Sequence, residues 1–320
     1  EQLGKRGKIT GEMLDIENVA DHALIHYNHK SDTKFSAVLK SGWNSVKNID
    51  IESDTLNKVY VKDFVHVDIA LSSDENANVR IVDAKRGNIE TADGNDKVNI
   101  KADSNGKGWS NEFDVDTGAG NDVINVRGSN GYTLFDIDAG TGNDRVSVRG
   151  DYERAEVELG DGRDRFRGGQ GDDIVSGGAD RDVLKGAGGD DVLYGGAGDD
   201  ILRGGQDFDI AVFQGSIDEY VITQRGAHRV IIEDTVEGRD GTDILFGFEG
   251  ILFGAGVLDG ADEGLSIADL LDQHDDVQDA IDAFVHNGEQ GQLETLAVDA
   301  QMPELQIVTI DDLQQPATLL

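Results

Sequence analysis

The chain has 320 residues, room for two or three domains, and carries 28 Lys+Arg against 64 Asp+Glu, a formal net charge of −36. It has no cysteine, which excludes a disulfide framework, a thiolate zinc site and a thiol nucleophile. The charge repels phosphate backbones and anionic lipid, so neither nucleic acid nor a membrane surface is an expected partner, and no apolar run approaches the ~18 residues of a membrane span.

The opening EQLGKRGKIT is charged and has no apolar core of a cleavable signal. The chain begins at Glu1 rather than Met, as a processed chain or a piece of a longer one does. His22, His26 and His29 have the i, i+4 spacing of a metal pair on a helix face. Nothing else there supports a helix, and a solvated or packed segment is the plainer reading.

Residues 46–102 read as all-β. Val59, Val61, Val65, Val67, Ile69 and Leu71 alternate with Tyr60, Lys62, Phe64, His66, Asp68 and Ala70, which sets one row inward and the other outward. The outward Tyr60, Lys62, His66 and Asp68 are the candidate acid and base groups of a polysaccharide-cleaving or epimerising site, where such groups must face one groove.

Three Gly-rich segments follow, TADGNDKVN, TGAGNDVIN and AGTGNDRVS, with Asp96, Asp122 and Asp144 in sixth place. From 159 to 212 the pattern becomes continuous, as LGDGRDRFR, GGQGDDIVS, GGADRDVLK, GAGGDDVLY, GGAGDDILR and GGQDFDIAV. The sixth residue of every nonad is aspartate: Asp164, Asp173, Asp182, Asp191, Asp200 and Asp209. The eighth is Phe166, Val175, Leu184, Leu193, Leu202 and Ala211. Each nonad is a Gly-rich turn followed by a short strand: Gly reaches positive φ, Asp offers a hard oxygen at the turn's edge, and the apolar residue points inward. Acids that were merely solvated would not hold one phase across six nonads.

These residues resemble the RTX (repeats-in-toxin) calcium-binding family, whose nonapeptide is G-G-x-G-x-D-x-U-x with U large and apolar. The resemblance implies an all-β fold, a parallel β-roll or β-helix solenoid in which two nonads make one 18-residue coil. Ca²⁺ then sits between stacked turns, held by Asp and backbone carbonyl oxygens, as its demand for 6–8 oxygens requires. The sequence departs from the pattern at Asp180, Ala187 and Asp207. The steps from Asp96 to Asp122, Asp144, Asp164, Asp182 and Asp200 narrow from 26 residues to 18, which places these six on one edge. Asp173, Asp191 and Asp209 take the opposite edge, replaced upstream by longer loops at 103–111, 127–133 and 149–155. Regular 18-residue pairs give four calcium sites, and the wider steps up to three more. An EF-hand is the rival reading of Asp114-Val-Asp116 and Asp136-Ile-Asp138, but position 12 is Asn125 or Ser147 where that loop needs Glu.

Beyond the nonads, GTDILFGFEGILF (241–253) resembles a segment found just after RTX arrays, which implies a small β cap. Residues 266–286 read as an amphipathic helix, with Ser266 and Asp269 as an approximate capping box and Gly288 ending it. The acidic tail 289–320, ending Ala-Thr-Leu-Leu, resembles an uncleaved type I secretion signal. The expected organisation is a cap over 1–45, wide coils over 46–158, the β-roll over 159–212, a β cap over 213–260, and helix plus tail over 261–320. The expected function is that of a secreted bacterial calcium-binding protein, extracellular or on the cell surface, folded by Ca²⁺. Its role is structural, matrix or adhesive, with the type I machinery, itself or a surface polysaccharide as partners. The alternative is a calcium-dependent lyase or epimerase on the N-terminal coils.

Overall fold

A computed structural model describes residues 48–54, 56–103, 111–129, 131–226 and 229–254, and the strand backbones at 14–19, 22–27, 37–40, 297–299 and 302–309. The expected helix at 266–286 lies outside the described residues, as do His29 and the segment 104–110. The chain divides into two compact units, 1–153 and 154–320. Among the described residues no helix is long and apolar enough to cross a membrane.

Strands are numbered in chain order. In the first unit β1 (Leu14–Val19) pairs antiparallel with β2 (His22–Tyr27). From β2 a parallel sheet, here called the first sheet, continues through β4 (Asn48–Ser53), β6 (His66–Leu71), β8 (Arg86–Thr91), β10 (Asn111–Asp116) and β12 (Thr133–Asp138). The second sheet is built from the intervening strands: β3 (Ala37–Lys40), β5 (Lys58–Lys62), β7 (Asn78–Ala84), β9 (Lys97–Ala102), β11 (Val123–Ser129) and β13 (Arg145–Asp151). The chain thus winds as a parallel β-solenoid, one strand per sheet in each coil.

Period-two patterning explains the winding. Along β5, β6 and β7 the residues Val59, Val61, Val67, Ile69, Val79 and Ile81 are buried, and their neighbours face outward. Parallel in-register pairing stacks like on like, so Phe113 lies opposite Phe135 and their rings stack with centroids 5.9 Å apart. The run from Val59 to Leu71 is two strands and not one. The chain turns at Asp63, whose φ is 65°, and the alternation slips there, so that Phe64 is buried and Val65 only half-buried.

In the second unit, β14 (Arg154–Glu158), β16 (Asp172–Ala179), β18 (Val192–Ala197), β20 (Ile210–Phe213) and β24 (Gly250–Phe253) form one parallel run. The other is β15 (Arg165–Arg167), β17 (Val183–Gly188), β19 (Ile201–Gln206) and β23 (Thr242–Phe246). A hairpin of β21 (Tyr220–Gln224) and β22 (Arg229–Asp234) is inserted before β23 and pairs antiparallel with it. Arg239 anchors this hairpin by forking onto Asp234 with two 2.7 Å bonds and donating to Glu219 at 2.7 Å. The tail contributes β25 (Ala297–Asp299) and β26 (Met302–Thr309), and β26 pairs antiparallel with β24. All-β parallel solenoid is therefore the fold of each unit.

Candidate metal centres

The sixth-position aspartates are among the most buried charged side chains of the described residues: all nine are 0–2% exposed. They form ladders. In the first unit the Ala77 amide donates to Asp96 Oδ1 (2.6 Å), the Asp96 amide to Asp122 Oδ1 (2.6 Å), and the Asp122 amide to Asp144 Oδ1 (2.7 Å). In the second unit the Asp164 amide donates to Asp182 Oδ1 (2.8 Å) and the Asp182 amide to Asp200 Oδ1 (2.7 Å). A separate ladder runs from the Asp173 amide to Asp191 Oδ1 (2.9 Å) and from the Asp191 amide to Asp209 Oδ1 (3.1 Å). Every rung joins one coil to the next, and within each unit the aspartates sort onto edges as their spacing predicts.

In the second unit Asp182, Asp191, Asp200 and Asp209 accept these rungs through Oδ1 only. Oδ2 of Asp182, Asp191, Asp200 and Asp209 is buried and accepts no hydrogen bond. A buried carboxylate oxygen without a donor is costly unless a cation meets it. Desolvation raises the carboxyls accordingly, with neighbouring acids on the ladder adding to it. Asp122 and Asp200 are pushed up to about 7, Asp182 to about 8, and Asp191 and Asp209 to about 9. The rung hydrogen bond acts in the opposite direction and is outweighed.

Glycine makes room for this arrangement. A Cβ on Gly186 would lie 1.9 Å from Asp191 Oδ2, so the first place of that nonad admits no side chain. Gly142, at φ +145°, would bring a Cβ within 1.4 Å of the Gly120 carbonyl of the preceding coil. Turn carbonyls and carboxylates are thereby stacked without intervening side chains. Among the described residues no three His, Cys, Asp or Glu side chains converge on one point. A cation here would draw on carboxylate pairs and main-chain carbonyls, an all-oxygen set suited to Ca²⁺.

Two further rungs of the ladders are not apparent from the nonad spacing. The Asp200 amide donates to Asp243 Oδ1 at 2.8 Å across 43 residues, and the Asp209 amide to Glu249 Oε2 at 3.0 Å across 40. Asp243 is 1% exposed and raised to about 9 by burial. The signal was present in GRDGTDILF (238–246), a nonad with Gly first and fourth, Asp sixth and Leu eighth. The inserted hairpin hid it by breaking the 18-residue step. The segment 241–253 therefore does more than cap the roll, because β23 and β24 extend both of its sheets.

Other candidates are separated or displaced. Tyr60 and Lys62 lie on β5 and His66 and Asp68 on β6, in different sheets, so the four do not face one groove. His66 and Asp68 pair with each other at 2.7 Å. His22 and His26 belong to a strand and not a helix. Asp114, Asp116, Asp136 and Asp138 also stand on strands, β10 and β12, facing outward, which removes the EF-hand reading. The loops expected at 127–133 and 149–155 are mostly strand, since β11 runs to Ser129, β13 to Asp151, and β14 begins at Arg154.

A buried, all-oxygen ladder repeating with the nonad is the architecture of a calcium-binding repeat. The family model for the RTX calcium-binding nonapeptide repeat matches in four copies, over residues 157–184, 176–211 and 233–250. The last match covers the displaced nonad that holds Asp243. Over these residues the chain carries RTX-type calcium-binding nonapeptide repeats. No curated protein matches the chain.

Proposed function

We propose that the protein is an exported calcium-binding scaffold whose nonad unit folds on Ca²⁺, with a structural, matrix or adhesive role outside the cell. The observation that carries this reading is the set of buried carboxylate oxygens facing the turns without a hydrogen-bond donor, at Asp182, Asp191, Asp200 and Asp209. The pairs Asp164/Asp182, Asp182/Asp200, Asp173/Asp191 and Asp191/Asp209 would each hold one ion together with turn carbonyls. Asp200/Asp243 and Asp209/Glu249 would extend the two edges, and Asp96/Asp122 and Asp122/Asp144 would serve the first unit. Bound Ca²⁺ would supply the positive charge that lets these carboxylates ionise while buried, so binding free energy becomes folding free energy.

Calcium-dependent folding also suits export of an unfolded chain, because cytosolic free calcium is far below that outside. A chain without cysteine needs no oxidant to fold after exit. The test has two arms. Far-UV circular dichroism of the chain in chelator should gain β signal on adding millimolar Ca²⁺, and an unchanged spectrum would overturn the folding claim. Deleting 311–320, which lie beyond β26, should trap the chain in the cytosol of a type I-competent host while leaving that calcium response intact. Efficient export of the truncated chain would overturn the secretion claim alone.

A further inference from the structure

The two sheets of the first unit carry opposite charge on their outer faces. On the first sheet, parallel register lines up Asp50, Asp68, Asn88, Asp114 and Asp136 from β4 to β12. The adjacent row adds Glu52, Glu90, Asp116 and Asp138, and Arg86 is the one Lys or Arg at the outward positions of these five strands. On the second sheet the register lines up Lys62, Val82, Lys101, Arg127 and Arg149 from β5 to β13. A second row contributes Lys58, Lys97 and Arg145, and Arg80 stands between the two. The acids near these rows sit at their ends or turns: Asp63, Asp151, and Asp83, which pairs with Lys101 at 2.7 Å.

Like charges on adjacent strands, directly opposite in register, oppose sheet formation. Both faces accept that cost at several adjacent pairs: Asp50 with Asp68, Asp114 with Asp136, Glu90 with Asp116, Asp116 with Asp138, Lys101 with Arg127, and Arg127 with Arg149. The Asp114 carboxyl is raised by burial, and then by Asp136, Glu112 and Asp68. A row of cations on a chain of net charge −36 is equally out of keeping with composition. Each face is the charge complement of the other, and both repeat at the same strand pitch, roughly 4.8 Å.

We infer that the acidic face of the first unit docks on the basic face of a second copy of this chain. A polyanion would neutralise the basic rows but offer nothing to the acidic rows. A second copy relieves both rows at once. The contact is heterologous, one face against a different face, so it does not close and copies add in an open stack. No residue of either face belongs to the sixth-position ladders, so the inference stands apart from the calcium reading.

The test keeps calcium constant and uses the full chain. Sedimentation velocity should show mass increasing with concentration, and the increase should fall as salt is raised. A K101E/R127E/R149E variant and a D68K/D114K/D136K variant should each lose association by about tenfold or more. An equimolar mixture of the two should recover it, because each then offers the face the other lacks. Neutral variants, R127Q/R149Q and D114N/D136N, should weaken association with circular dichroism unchanged, which separates loss of contact from loss of fold. A wild-type chain that stays monomeric at the highest attainable concentration overturns the inference, as does a mixture that fails to associate. Retention of a polyuronate by a chain that does not self-associate would also overturn it, by giving the basic face a different occupant.

Discussion

The two units wind in the same way and are held by different means. In the first, a strand such as β10 buries Phe113 and Val115, and its partner β12 buries Phe135 and Ile137. In the second, β17 buries Leu184 beside Gly186 and Gly188, and β19 buries Leu202 beside Gly204. Such a coil of the first unit removes more apolar surface from water than these nonad strands do, at roughly 25 cal/mol per Å². The nonad coils have little core and place buried aspartate on both edges, while the strands after them bury Phe213, Tyr220 and Phe253 against one another. These coils exchange hydrophobic stabilisation for buried carboxylates, whereas the first unit carries such carboxylates on one edge beside a conventional core.

The turns differ as well. At the fifth place the first unit has Asn95, Asn121 and Asn143, and the side-chain oxygens of Asn95 and Asn121 accept from the next amide at 2.8 and 3.0 Å. The second unit has Asp172 and Asp190 there, accepting in the same manner at 2.8 Å. A neutral ladder needs no counter-ion, while the charged one adds to repulsion on an edge already lined by Asp173, Asp191 and Asp209.

The largest expected effect follows directly. Removing calcium should unfold the nonad coils and spare the first unit. Hydrogen exchange read by mass spectrometry in chelator should lose protection over 164–211 and retain it over β6 to β12. Uniform loss across both units would end the comparison, as would uniform retention.

Next in size is the contrast between single ligands. Asp191 stands between Asp173 and Asp209 on its ladder, and Asp122 between Asp96 and Asp144 on another. Asp191→Ala should raise the calcium concentration at half-folding by about tenfold or more, a loss of ~1–3 kcal/mol for a charge-assisted partner. Asp122→Ala should lower the thermal midpoint of the first unit only modestly, because its core remains. Equal effects of the two variants on calcium response would mean that the core difference does not matter.

Much of this contrast was legible in the sequence, because the nonad phase is a direct consequence of the turn. Gly first and Asp sixth are required by one contact, that of Gly186 against Asp191 Oδ2. Whatever depended on closure between distant segments was not legible. Asp243 reaches its rung across 43 residues with a hairpin between, and alternation from Val59 to Leu71 does not reveal a corner at Asp63. That corner separated His66 and Asp68 from Tyr60 and Lys62. The opposed charge of the two faces was hidden for the same reason, since it appears only when alternate strands are sorted into two sheets.

A pH dependence of unusual sign should mark the second unit. Its ladder carboxyls titrate near 3.8 when unfolded and are raised by burial to about 7 at Asp200, about 8 at Asp182 and about 9 at Asp191 and Asp209. The folded roll without calcium therefore binds more protons than the unfolded chain. Its stability is fully present below pH ~3.8 and is lost as pH rises through ~7–9. In chelator, the β signal of the nonad coils should be stronger at pH 5 than at pH 9, and with calcium present the difference should shrink. A chelated chain more structured at pH 9 than at pH 5 would contradict the burial of these groups.

The smallest effect concerns a turn residue. Ala187 occupies the second place of its nonad at φ 100°, where Gly178 and Gly196 in the equivalent turns adopt 102° and 88°. A Cβ in this region is strained by ~1–2 kcal/mol, and glycine removes that strain. The gain is partly offset because glycine also frees the unfolded chain, by ~0.4–1 kcal/mol. Ala187→Gly should therefore stabilise the calcium-loaded roll by up to about 1 kcal/mol in a urea melt. Asp180, at φ 74° in the fourth place of its nonad, is a useful control. Aspartate tolerates left-handed backbone better than alanine does, so Asp180→Gly should change stability by less than Ala187→Gly. Destabilisation by Ala187→Gly would show that the side chain contributes packing in that turn which outweighs its strain, and the nonad coils would then depend less completely on glycine than their sparse core implies.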